Sequence, residues 1–140
     1  MNEDGDFIPL KPMRTSHYHG DMVRALFLTN AVLIFATKFV AATPTFSFGA
    51  MMLLILTLVI AAGITNPAQR WIHTVNMLVS IAGVVTFAWL SFSRIETAAH
   101  LFSGDGLLAV IALLFLASLY LATRTVRGYS VPHIETEPEA

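Results

Sequence analysis

Four long apolar stretches, separated by short polar segments, limit what this chain can fold into. They lie at about Met22 to Thr43, Phe46 to Ile64, Trp71 to Phe92 and Leu107 to Thr123. Each is close to the roughly 20 residues that an α-helix needs to cross about 30 Å of hydrocarbon. A backbone in lipid must satisfy its own hydrogen bonds, and these runs are too uniformly apolar for the alternating strands of a membrane barrel. The sequence therefore predicts an all-α polytopic membrane protein with a bundle of four transmembrane helices.

The composition excludes several classes of function. Only 12% of the 140 residues are charged, against roughly 25% in an ordinary soluble domain. After four spans, the remaining chain is too short for a soluble catalytic domain, so we expect no enzymatic activity. Cysteine is absent, which excludes disulfides, thiolate metal sites and thiol catalysis. The basic residues are dispersed, so we expect no nucleic-acid partner.

The distribution of basic residues predicts the orientation of the bundle. Short loops rich in Lys and Arg stay on the cytoplasmic side. Of the eight basic residues, Lys38 and Arg94 belong to one side of the membrane, and the other six lie on the opposite side: Lys11, Arg14, Arg24, Arg70, Arg124 and Arg127. Both termini are therefore expected in the cytoplasm, and the location is expected to be a plasma membrane of the bacterial type.

The domain organisation follows from the same pattern. Residues 1–20 and 127–140 are expected to be mobile cytoplasmic tails, and residues 21–126 form the transmembrane domain. A cleaved signal peptide is the alternative interpretation of the first stretch, because Val40-Ala41-Ala42 resembles a cleavage site. The acidic region before this stretch, and the polar Asn30 and Lys38 inside it, favour a retained helix.

The third stretch carries a polar face. His73, Asn76, Ser80 and Gly83 recur at spacings of three, four and three residues, which places them on one side of a helix. Small and polar residues of this kind mediate contacts between membrane helices, and they can also line a pore. A haem or metal role for His73 would need a second ligand that this helix does not supply, so we expect no cofactor.

One polar residue in each stretch lies at a similar distance from the cytoplasmic boundary. These residues are Asn30, Thr57, Asn76 and Ser118. They could form a hydrogen-bonded layer, or a constriction met by water and ions. Alternatively, Thr57 and Ser118 could bond the carbonyl four residues back in their own helix. Because the first and third helices run in the same direction, Asn30 and Asn76 are expected to contact each other.

Lys38 is the one charged residue well inside an apolar stretch. It lies near the outer end of the first helix, and we expect its amine to reach the outer headgroups. The alternative is a buried binding charge for an anion, which requires the amine to face the bundle interior.

Two groups outside the spans resemble weak metal sites. His17, His19 and Asp21 alternate before the first helix, while Glu96, His100 and Asp105 lie in the outer loop. The two groups are on opposite membrane faces, and each offers at most three ligands, so we expect no bound metal.

These observations favour a structural or accessory membrane protein, which packs against itself or against a larger complex in the lipid bilayer. The alternative is a homo-oligomeric channel or transporter that uses the polar face of the third helix. A polar face sealed inside one subunit favours the first hypothesis, and a polar face open to a water-filled cavity favours the second.

Overall fold

The computed structural model of the protein describes residues 19–40, 45–64, 69–94 and 104–130. In these ranges the chain forms four helices: α1 (Gly20–Val40), α2 (Phe48–Ile64), α3 (Arg70–Arg94) and α4 (Gly106–Ser130). The predicted all-α class is confirmed, and each helix corresponds to one of the four apolar stretches.

Local hydrogen bonds explain where the helices begin. Ser47 precedes α2, and its hydroxyl accepts a hydrogen bond from the backbone N–H of Ala50 at 3.3 Å, as expected of an N-cap. Asp105 precedes α4, where its carbonyl accepts from the N–H of Leu108 at 3.1 Å. α4 continues to Ser130, so the predicted domain boundary at residue 126 falls inside this helix.

Three of the helices are long and apolar enough to cross a membrane: Gly20–Val40, Trp71–Arg94 and Gly106–Gly128. α2 is also apolar but shorter, with 17 residues. Long side chains such as Trp89 and Phe92 on α3 are 74% and 85% exposed, as expected for residues that face hydrocarbon. The chain thus has the features of a multi-pass membrane protein.

The four helices form a closed bundle in which each helix has two neighbours. α3 packs along α4, and α1 packs against both α2 and α4, whereas α2 touches α3 only lightly. The backbone N–H of His19 lies 3.4 Å from Oγ1 of Thr125, so the start of α1 meets the end of α4. At the opposite end, Nη1 of Arg94 lies 3.6 Å from Oδ1 of Asp105, so the end of α3 meets the start of α4. Both α1 and α3 are therefore antiparallel to α4.

An aromatic cluster lies in the middle of the core. The rings of Phe87 on α3 and Phe115 on α4 are stacked, with centroids 5.7 Å apart. Phe27 on α1 approaches Phe115 at 6.4 Å, and Phe46 meets Phe87 edge to face at 5.8 Å. Through these contacts the cluster joins α1, α3, α4 and the segment before α2.

Candidate functional site

The polar face predicted on the third helix lies inside the bundle. His73, Asn76 and Ser80 are 2%, 1% and 0% exposed, and Gly83 is also buried. These residues share one side of α3 because their spacing follows the helical repeat. The structure therefore turns this side of α3 away from the exterior.

One face of α4, which packs along α3 and against α1, is buried. It consists of buried residues at intervals of three or four positions: Phe115, Ser118, Ala122 and Thr125. Phe115 packs on Gly83, and the ion pair of Arg94 with Asp105 extends the same antiparallel register toward the other end of the helices.

Most hydroxyl groups on the two faces donate within their own helix. Ser80 Oγ donates to the carbonyl of Asn76 at 2.8 Å, and Ser118 Oγ donates to the carbonyl of Leu114 at 2.9 Å. Thr125 Oγ1 donates to the carbonyl of Leu121 at 3.0 Å. Such bonds to the preceding turn satisfy a hydroxyl proton without a partner on another helix.

Thr57 is placed differently from the other three residues of the expected polar layer. Asn30, Asn76 and Ser118 are buried, but Thr57 lies on an exposed side of α2. Its hydroxyl donates to the carbonyl of Leu53 at 2.8 Å. The alternative that Thr57 and Ser118 bond their own helices is what the structure shows.

Asn30 and Asn76 are both buried, but Asn30 forms no hydrogen bond with Asn76; contact between the two side chains stays a prediction. Asn30 is fully buried, and neither its amide nitrogen nor its amide oxygen has a hydrogen-bond partner among the residues that the structure describes. α1 packs mainly against α2 and α4 and makes little contact with α3.

Lys38 and Arg94, at the end of the bundle where α1 and α3 finish, have different surroundings. Lys38 is exposed on the last turn of α1. Arg94 is partly buried, and besides its ion pair with Asp105 it donates from Nη1 to Oγ1 of Thr45 at 3.4 Å. This arrangement links the end of α3 to the start of α4 and to the segment before α2.

The candidate metal groups are only partly described. His17, Glu96 and His100 lie outside the described residues. Of the others, Asp21 is exposed, His19 is half-buried, and Asp105 is the ion-pair partner of Arg94. Within ranges 19–40, 45–64, 69–94 and 104–130, no group of three or more His, Asp or Glu side chains is arranged to hold a metal ion.

On α4, sequence reasoning identified Ser118 but missed the other buried residues of the same face, Phe115, Ala122 and Thr125. Thr125 follows Ser118 by seven residues, two helical turns, and Ala122 lies between them on the same side. This spacing was available as a signal. The contact of Phe115 with Gly83 had no such signal, because nothing in the sequence shows which helix faces which.

The chain was also compared with protein-family models, with curated proteins and with solved structures, and none of them matches it.

Proposed function

We propose that this chain is a small integral membrane protein with a structural or accessory role, a helical bundle that packs against itself or within a larger membrane complex. The observation that carries the proposal is the burial of the α3 polar face within a single chain. Ser80 and Ser118 are both 0% exposed, and burial of these two hydroxyls against protein supports a packing role over a pore lining. The proposal assigns no catalytic reaction to the protein.

The arrangement of the helix ends supports four membrane crossings. α1 and α3 both start at the end of the bundle where α4 finishes, so α2 has to return the chain from one end to the other. The 17 residues of α2 are at the short end of the range for a membrane span and extend about 26 Å. A bilayer can adapt to a helix of this length by local thinning.

The charges at the two ends support cytoplasmic termini. Arg24, Arg124 and Arg127 are exposed at the end where α1 starts and α4 finishes. Lys38 and Arg94 are at the other end. The excess of basic residues beside the chain termini favours this end as the cytoplasmic side of a bacterial-type plasma membrane.

The outer surface is suited to lipid and to other membrane helices. Large apolar side chains are exposed on all four helices, and they include Phe39, Leu53, Val85 and Leu113. Because lipid tails are as apolar as these side chains, association in a membrane depends on packing and shape. A bundle of this kind can therefore remain in lipid alone or assemble with copies or partners.

The proposal is tested by purifying the full chain in mild detergent and recording native mass spectra, together with ion flux through vesicles that contain the protein. We expect a defined complex, of copies or with another membrane protein, and flux equal to that of empty vesicles. The proposal would be overturned if the protein gave ion flux well above that of empty vesicles and if Asn76→Leu abolished this flux without changing the stability of the bundle. That result would support the homo-oligomeric channel.

A further inference from the structure

A cavity of about 140 Å³ lies among the four helices. α1 contributes Ile34 to its wall, and α4 contributes Phe115. The remaining wall comes from α2 and α3, at the place where these two helices make only light contact. The cavity therefore lies between helices in the apolar part of the bundle.

The wall of this cavity is apolar and carries no charged residue. Its polar groups include the hydroxyls of Thr57 on α2 and Thr86 on α3. The hydroxyl of Thr57 already donates to the carbonyl of Leu53 at 2.8 Å, so toward the cavity it can act only as an acceptor. A charged or strongly polar ligand would lose its hydration here without compensation.

The size and the aromatic wall indicate the kind of molecule that fits. In another protein, an engineered cavity of about 150 Å³ lined by Leu, Ile and Phe binds benzene or xenon. Here the stacked rings of Phe87 and Phe115 both border the cavity, and aromatic pairs favour offset-stacked or edge-to-face contact.

We propose that this cavity is a binding site for a small apolar molecule of about the size of benzene, which enters from the hydrocarbon layer between α2 and α3. Thr57 and Thr86 are exposed residues of the two helices that flank this entrance. Molecules of this class dissolve in the bilayer, so the entrance faces the phase in which they are concentrated. The site does not depend on the proposed packing role, and either proposal can fail without the other.

The test uses fluorobenzene as the probe and ¹⁹F NMR of the full chain in detergent micelles, with empty micelles as the blank. We expect saturable binding of fluorobenzene at one site per chain, in addition to its linear partition into the micelles. Benzene should compete for this site. Ala82→Leu and Thr57→Leu both add volume at exposed positions of the cavity wall and should weaken this binding at least tenfold. Ala117→Leu is the matched control, because Ala117 is exposed on α4 and does not border this cavity.

Two results would overturn the proposal. One is partition of fluorobenzene that is linear and equal to the empty-micelle blank. The other is a folded Ala82→Leu or Thr57→Leu variant that binds fluorobenzene as tightly as the wild type does. Circular dichroism and size-exclusion chromatography establish which variants are folded, and Thr57→Leu decides the question if Ala82→Leu does not fold.

Discussion

Phe115 on α4 lies against the backbone of Gly83 on α3, in the space that a Cβ atom at position 83 would occupy. The Phe115 ring also stacks on Phe87 and approaches Phe27, so these two rings restrict its movement. A Cβ at position 83 would overlap this ring, so a larger residue there requires Phe115 or the helices to shift. The contact brings α3 and α4 together at the Gly83 end of the polar face.

The first prediction concerns this contact. Gly83→Ala places a methyl group closer to the Phe115 ring than van der Waals contact allows, and we expect it to destabilise the bundle by about 1–3 kcal/mol, the usual range for overpacking. Reversible unfolding in mixed detergent and SDS, followed by circular dichroism, measures the change. Phe115→Leu in the Gly83→Ala background should recover part of the loss, because the smaller side chain vacates the space.

Gly63 provides the matched control for Gly83. It lies near the end of α2, is exposed, and has nothing within 4 Å of an added Cβ. Gly63→Ala should be neutral or stabilise the bundle by up to about 1 kcal/mol, since alanine has the higher helix propensity. Equal destabilisation by both substitutions would show that the contact with Phe115 is not the cause.

The second prediction compares the two buried asparagines. Asn30 is buried and its amide makes no hydrogen bond to the described residues, so Asn30→Leu should leave stability unchanged or increase it by about 1–3 kcal/mol. Asn76→Leu should instead decrease stability by about 1 kcal/mol, as expected of a polar group that contributes to helix packing. The same unfolding assay ranks the two variants. A large loss on Asn30→Leu would contradict the placement of Asn30.

The third prediction concerns Lys38. Its side chain is exposed in the last turn of α1, where the amine can reach the headgroups at that end of the helix, so Lys38→Met should change the unfolding free energy by less than about 1 kcal/mol. Elution volume and thermal stability in detergent provide the measurement. Aggregation or loss of the folded bundle would show that Lys38 is a paired charge of the interior.

The fourth prediction is the topology. We expect reporter fusions after Gly20 and after Ala140 to report a cytoplasmic location. The reason is that the exposed Arg24, Arg124 and Arg127 lie at the end of the bundle where α1 starts and α4 finishes. A fusion in the segment between Val40 and Thr45 should report the opposite side. An external signal from either of the first two fusions would refute cytoplasmic termini.

The sequence by itself determined the helices and the pattern of their faces. A long apolar run in lipid has one favourable backbone state, and local signals position its ends, so the four predicted stretches correspond to α1 to α4. The spacing of His73, Asn76, Ser80 and Gly83 likewise identified one face of α3, because side-chain direction in a helix follows from the 3.6-residue repeat.

Only the tertiary structure decided which faces meet. It packed α3 along α4, with Gly83 of the polar face against Phe115, and left Thr57 at the wall of a cavity. Contacts between helices depend on shape complementarity, such as the match of Phe115 with Gly83, and membrane helices lack a hydrophobic force that would select a partner. Depth along a helix can be counted in the sequence, but the neighbour across the interface is set by packing.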